Sequence, residues 1–492
     1  MSERVTRPAD PAPAGDGGEG LARGALHARH IVFMVVAAAA PMAVVVAIMP
    51  IAFILGNGAG TPGMFLVAAL VLALFSVGYT RMIPYVRNAG AFYAYIAQGL
   101  GRPGGLAAAY VAAVSYNALA AATCGALAFF AADTADRLFG IDLRWEVWAA
   151  IAIAIVGVLG FRRITLTARV LGVALALEVA ILLVLDVAIL GDRGASSFSL
   201  DVFAPSNVFG GVVGVAIIYA FSSYLGFEGT AIYAEEASEP RRTVPRATYA
   251  AVAVVGGFYV LTSWALLAGP GLGPAIEQAG ADPGGYVFAQ TDRFLGSGAT
   301  DVVNVLIVTS AFAAVLAFHN AAARYFYALA RDGFLPQALA RTHPRHNSPY
   351  VAGMVQVAIL AAIVAGFAIA GLDPLLNLST AMTGFGAVGL MSLLAVTSLA
   401  VAAFFWRRGE RGIATVGAPA LAAAALGVAT VLALVNYPSL TGSASDVINN
   451  LPWLHLPVVA AGVAVALHAR SRRPQAYARM GTTRVDDEHT RT

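Results

Sequence analysis

Apolar runs long enough to cross a bilayer recur from Ile31 to Ala469 and leave no stretch over for a soluble domain. A hydrocarbon core about 30 Å thick takes roughly 20 apolar helical residues per crossing. In lipid every backbone N–H and C=O must be satisfied within the protein, so repeated runs of this length fold as packed helices. Of 492 residues 59% are hydrophobic and 12% charged, about half the charge of an ordinary soluble domain. The runs fall at about 31–55, 62–86, 104–132, 145–161, 168–190, 208–234, 248–269, 299–330, 349–370, 375–405, 412–435 and 452–469, which predicts an all-α polytopic membrane protein of about twelve helices. The 145–161 run is the shortest of these. Residues 1–30, rich in Pro, Gly, Asp and Arg, read as a disordered cytosolic tail, and 470–492 as a second cytosolic tail. The 31–55 run is longer than a signal-peptide core and reads as a retained helix.

Orientation follows from arginine. The chain has no lysine, so all 30 basic residues are Arg. With the N-terminus inside, the cytosolic loops hold a long series of arginines from Arg87 to Arg411, whereas the opposite loops hold only Arg137, Arg144, Arg193 and Arg293. That asymmetry places both termini in the cytosol of a cell with this protein in its cytoplasmic membrane. The net charge of +3 does not indicate nucleic acid, because the arginines are scattered over short loops. The single cysteine, Cys124, excludes an internal disulfide and a cysteine-based metal cluster. Nothing has the spacing of a metal site, an activated nucleophile or a phosphate loop, so no enzyme and no cofactor is expected. His343 and His346 flank Pro344 in an arginine-rich loop, which is poor metal geometry.

Two of the apolar segments break the rule that membrane helices avoid clustered small polar residues. The first carries Ala40-Pro41-Met42-Ala43-Val44, where proline removes an intrahelical hydrogen bond. The sixth carries Ser222-Ser223-Tyr224-Leu225-Gly226-Phe227-Glu228. Irregular backbone at that depth persists where it lines a cavity or a site. The two interruptions are five helices apart, as an inverted five-helix repeat requires. A second echo is Gly90-Ala91-Phe92-Tyr93 through Leu100-Gly101 and Gly285-Tyr286-Val287-Phe288 through Leu295-Gly296, two aromatic amphipathic stretches after the second and seventh helices.

These residues resemble the amino acid–polyamine–organocation (APC) permeases. The run Gly226-Phe227-Glu228, Glu235-Glu236-Ala237 and Pro240-Arg241-Arg242-Thr243-Val244-Pro245-Arg246 is similar to their sixth-helix signature. Asn320-Ala321-Ala322-Ala323-Arg324 with Arg331-Asp332-Gly333-Phe334-Leu335-Pro336, and Gly90-Ala91-Phe92-Tyr93 with Gly101-Arg102-Pro103, match in the same order. The resemblance implies a LeuT-like fold: 31–190 and 208–405 as inverted repeats, broken helices 1 and 6, and 412–469 as two peripheral helices. It implies secondary transport of an amino acid or related amine by alternating access. One departure is that family members carry a Gly-Ser-Gly-like break in the first helix, where this chain has Pro41-Met42-Ala43-Val44-Val45.

A zwitterionic substrate needs two opposite poles held out of bulk water. Half-helix ends supply them: free N–H groups for its carboxylate and free C=O groups for its ammonium. Ala40, Pro41, Met42, Ala43 and Val44 with Ser222, Ser223, Tyr224, Leu225 and Gly226 are the expected substrate contacts, against the plain alternative of a kink and close helix packing. Asn117 of the third helix either faces the same cavity or makes an interhelical hydrogen bond. In the eighth helix Phe318 reads as an aromatic gate. His319 reads either as a proton carrier or as a neutral core histidine. Glu228 reads as a gating or coupling acid, or as the partner of an arginine. Glu178, midway along the fifth helix, is costly to ionise there, by several kcal/mol, which suits a group that binds and releases a proton. The resemblance sets it beside the eighth helix, with Thr309 and Ser310 as neighbours, where sodium-coupled relatives hold an ion. The expected cargo is a neutral amino acid, with protons, or else sodium, as the coupling ion. The alternatives are a polyamine or organocation permease, an exchanger and a transporter-like sensor.

Overall fold

The computed structural model describes residues 32, 36, 39–86, 91–162, 168–228, 240–343 and 348–480. Both expected tails lie largely or wholly outside these residues, as do Glu235-Glu236-Ala237 of the signature and the Pro344–His346 loop. Among the described residues the regular structure is entirely helical. Nine helices among the described residues are long and apolar enough to cross a membrane, and three shorter apolar ones, Pro41–Leu55, Trp145–Phe161 and Val213–Ser222, fall on the first, fourth and sixth expected runs.

The longer helices are α1 (Pro41–Leu55), α2 (Thr61–Met82), α3 (Ala91–Leu100), α4 (Arg102–Phe139), α5 (Trp145–Arg162), α6 (Ala168–Arg193), α7 (Val213–Ser222) and α8 (Pro240–Ala268). They continue as α9 (Leu272–Ala281), α10 (Tyr286–Leu295), α11 (Ser297–Arg331), α12 (Tyr350–Ile369), α13 (Thr380–Arg407), α14 (Ala418–Thr441) and α15 (His455–Arg472). Helix α4 is the central post. It packs on α11, α13 and α15, and 78% of its most apolar window is buried, against 17% for α15, which faces outward. The reason is composition: α4 is built of Ala, Gly and Ser on all sides, and small residues let helix backbones approach where no hydrophobic effect drives them together. A Cβ on Gly462 of α15 would stand 2.5 Å from the Ala107 Cα of α4. One on Gly99 of α3 would stand 2.2 Å from the Ala400 carbonyl oxygen of α13.

The amphipathic echo is visible in the backbone. α3 and α10 are each ten residues long. Each ends at a glycine with positive φ, Gly101 at 100° and Gly296 at 85°, from which a long helix starts, α4 or α11. Only glycine enters that region without a Cβ penalty.

The first interruption lies a step earlier than its sequence predicts. Pro41–Val44 is not the break. Pro41–Ala43 is the first turn of α1, followed by a π-helical turn over Val44–Ile48. The irregular residues are Ala39, in a turn, and Ala40, at φ 45° and ψ 67°, left-handed. Proline favours this outcome, because at a helix's first position its missing N–H costs nothing and its φ is already helical. The second interruption falls where expected: α7 stops at Ser222 and Ser223–Gly226 are turns, with Gly226 at φ 109°.

Candidate functional site

At the first break the chain leaves a left-handed alanine and opens a helix, so the N–H groups of its first turn have no intrahelical acceptor. One of them is met from another helix. The Glu178 carboxylate of α6 lies against the Met42 N–H and accepts from Ser310 Oγ of α11 at 2.8 Å. Glu178 is 5% exposed. The expected neighbour Ser310 is thus its partner. Thr309 instead donates to the Leu306 carbonyl of its own helix, at 2.9 Å. Glu178, Thr309 and Ser310 form the polar end of a cavity of about 410 Å³ whose other walls, among them Leu127, Trp148, Ile155 and Phe312, are apolar.

At the second break both serines turn back on one carbonyl. Ser222 and Ser223 donate to the Tyr219 oxygen at 3.0 and 2.7 Å. This is the back-bonding that bends helices in apolar surroundings. Tyr224 leaves the turn and donates to the Phe65 carbonyl of α2 at 2.9 Å. Leu225 is buried and donates its N–H to the Ser222 carbonyl at 3.2 Å. Gly226 donates its N–H to Glu228 Oε2 at 2.8 Å, while Glu228 Oε1 accepts from the Tyr116 hydroxyl of α4 at 2.8 Å. The Tyr79 hydroxyl of α2 donates to the Glu228 backbone oxygen at 3.2 Å. Glu228 is therefore not the partner of an arginine among the described residues. It is a buried brace that ties the break to α4 and α2, and tyrosine is the residue that can reach a buried acceptor while filling an apolar interior.

Tyr259 of α8 connects the two breaks. Its hydroxyl donates to the Ala39 carbonyl at 3.2 Å, and its ring meets that of Tyr224 edge-on at 5.7 Å. Phe318 lies 6.3 Å from Tyr116 between ring centroids, and Tyr325 stacks on Tyr116 at 5.7 Å. Phe318 thus belongs with the Glu228 brace. Its neighbour His319 does not: it is 1% exposed, bonded through Nδ1 to Gln356 Oε1 of α12, and pressed against Gly160 of α5. Asn117 does not make the interhelical hydrogen bond that was one of its two expected roles. It donates to the Ala113 carbonyl one turn back in its own helix, at 2.8 Å, and its Oδ1 has no partner among the described residues.

The residues that sequence reasoning passed over are the tyrosines 79, 116, 259 and 325. Each sits in an apolar helix; the hydroxyls of Tyr79, Tyr116 and Tyr259 meet acceptors there, as buried phenols usually do, and a hydroxyl at that depth was the available signal.

Long apolar helices, with turns at Ala39–Ala40 and Ser223–Gly226 braced by buried carboxylates and tyrosines, define a polytopic helical membrane protein. A family model described as "Amino acid permease" matches residues 30–469, and the chain belongs to that family, within the APC superfamily. Among similar proteins is the branched-chain amino acid permease BcaP of Lactococcus lactis subsp. cremoris, 26% identical over 328 residues, 63% of this chain and 69% of that one. The methylthioribose transporter of Bacillus subtilis is 27% identical over 234 residues, 47% of this chain and 48% of that one. The human cationic amino acid transporter 4 is 31% identical over 200 residues, 38% of this chain and 29% of that one. The chain is thus an amino acid permease of the membrane, a transporter by family.

Proposed function

We propose that this permease is a secondary transporter that moves a neutral amino acid across the cytoplasmic membrane by alternating access, coupled to protons. In this reading the three shorter apolar helices complete twelve spans, the two halves form a LeuT-like inverted repeat, and both termini are cytosolic. The recurrence of a ten-residue helix, a positive-φ glycine and a long helix in each half supports the repeat. The substrate lies between the breaks, at Ala40–Val44 and Ser222–Gly226, with Phe318 and Asn117 beside it.

The observation that carries the choice of a neutral cargo is the Glu228 brace. Both of its oxygens already accept hydrogen bonds, from Tyr116 and from Gly226. A cationic or polyamine substrate needs a second fixed negative group for its additional ammonium, and this carboxylate is occupied. The relationship to branched-chain amino acid permeases of Lactococcus lactis and Bacillus subtilis points the same way, with apolar side chains as the cargo. Glu178 is the coupling group in this reading: it holds the N–H of the half-helix that meets the substrate, so its protonation alters that half-helix's grip.

The test is uptake into proteoliposomes of purified protein. Labelled leucine should accumulate saturably under an inside-alkaline pH gradient and not under a sodium gradient alone. Unlabelled isoleucine and valine should compete, and lysine and putrescine should not. Competition by lysine or putrescine at equal concentration would overturn the neutral-substrate reading, and binding without flux would make the protein a sensor.

A further inference from the structure

Helix α6 carries a second carboxylate at membrane depth that the site above does not use. Asp186 follows Glu178 by eight residues, about 12 Å farther along the helix axis at 1.5 Å per residue. It is 3% exposed. Its Oδ2 accepts from Thr262 Oγ1 of α8 at 2.7 Å, and its Oδ1 has no partner among the described residues. An acid that ties two helices together needs neither a second oxygen left bare nor a position that lipid penalises, and ionisable residues held in membrane helices mark ion and proton paths.

The surrounding charges do not neutralise it. On α6 itself the flanking groups are Glu178 on one side and Asp192 and Arg193 on the other, where Arg193 pairs with Asp192 at 3.5 Å and lies over the Phe294 ring at 5.9 Å. From α8 it faces Thr262 and, one turn earlier, Tyr259. The charged and titratable groups of the other helices packed on α6 are Tyr286, Asp292 and Arg293 of α10 and Asp301, His319, Arg324, Tyr325, Tyr327 and Arg331 of α11; Asp186 bonds to none of them, its hydrogen bond going to Thr262. Thr262 and Tyr259 are three apart and so share a face of α8. The Tyr259 hydroxyl donates to the Ala39 carbonyl, three residues before Met42, whose N–H Glu178 lies against. Two hydroxyls on one face of α8 thus stand between the acids, Thr262 bonded to Asp186 and Tyr259 bonded to the Ala39 carbonyl at the first break.

We propose that Asp186 is a second proton-carrying station, through which a proton from the external side reaches Glu178. The inference rests on the reading of Glu178 as the coupling acid and of the α6 C-terminus as external. A proton from external water adds to the Asp186 carboxylate and moves on along this face of α8 to the Glu178 carboxylate, which leaves Asp186 ionised again; no electrons change hands. Thr262 and Tyr259 are positioning residues in this scheme.

The experiment compares Asp186→Asn and Glu178→Gln in proteoliposomes loaded with leucine. Asparagine still accepts from Thr262 and cannot carry a proton, and leucine counterflow at symmetric pH reports folding and the substrate site. Asp186→Asn should keep counterflow within about twofold of the parent while slowing pH-driven leucine accumulation at least about tenfold. Thr262→Val should slow it less, and raising the external proton concentration should restore part of the Asp186→Asn rate. Normal pH-driven accumulation in Asp186→Asn, with Glu178→Gln impaired, overturns the role of Asp186 and leaves that of Glu178. Impairment in Asp186→Asn with Glu178→Gln normal makes Asp186 the sole coupling acid and overturns the two-station scheme. Equal loss of counterflow and accumulation makes Asp186 a structural tie and also overturns it; Asp186→Glu, which keeps the acid, then fails to restore accumulation.

Discussion

Removing one hydroxyl from the Glu228 brace should weaken the fold by an amount that can be worked out from its geometry. Tyr116→Phe deletes the donor to Glu228 Oε1 and leaves the ring in place against Phe318 and Tyr325. Glu228 is 2% exposed, so water does not replace the lost partner. A buried polar group left unmatched costs about 1–3 kcal/mol, whereas side-chain hydrogen bonds in membrane proteins average about 0.6 and reach about 1.7 kcal/mol. The expected cost is therefore about 1–2 kcal/mol. Glu228→Gln leaves one carbonyl oxygen for two donors, Tyr116 O–H and Gly226 N–H, and turns an amide NH2 toward the other. It should cost at least as much, about 1–3 kcal/mol. In the double variant the amide oxygen serves Gly226 and the NH2 meets a bare ring edge, so the two costs should fall short of additive by about 1 kcal/mol. Equilibrium unfolding of the four proteins in mixed micelles measures this coupling. Singles within about 0.3 kcal/mol of the parent that simply add would refute the brace and, with it, the argument that Glu228 is unavailable to a second ammonium group.

Other outcomes follow from single positions. Ala40→Gly should raise the unfolding midpoint, by up to about 1 kcal/mol, because left-handed backbone costs alanine about 1–2 kcal/mol and glycine little; a fall would mean that Ala40 does not hold its left-handed conformation. Gly160→Ala places a Cβ 2.3 Å from His319 Nε2 and should cost about 1–3 kcal/mol as overpacking, and combining it with His319→Ala should cost less than the two singles summed, read from the same unfolding titration. Gly226→Leu sets a branched side chain at φ 109° and should abolish leucine-induced thermal stabilisation while the protein still inserts and folds; a retained ligand shift would remove Gly226 from the substrate site. With Cys124 replaced, a cysteine at Gly194 should react with impermeant reagent from outside and one at Gly409 only from inside, and the reverse pattern would invert the topology.

The fold class and the family were legible in the chain alone, because in lipid the backbone has one inexpensive solution for each apolar run and the signatures at Gly226–Glu228 and Gly90–Tyr93 are local. The position of the second break was legible too. Ser222, Ser223 and Gly226 are adjacent in sequence, and their backbone preferences are short-range. The first break was legible only to within a residue or two, since proline is equally at home inside a break and at the start of the helix that follows it, and the left-handed residue turned out to be Ala40. Pairings across the bundle were a different matter. Ser310 was found beside Glu178 because both were sought as neighbours, but Tyr116 on Glu228, Tyr259 on Ala39 and Thr262 on Asp186 join residues 112, 220 and 76 positions apart. Adjacent residues also part company on a helix: Phe318 joins the tyrosines while His319 turns to Gln356 and Gly160. The sequence by itself determined what must be helical, where helices must fail and what kind of protein results, because those depend on the solvent and on local backbone chemistry. Which buried carboxylate holds the first break, which braces the second and which stands half-satisfied was decided only by tertiary structure, because a side chain's partner is set by how long helices cross.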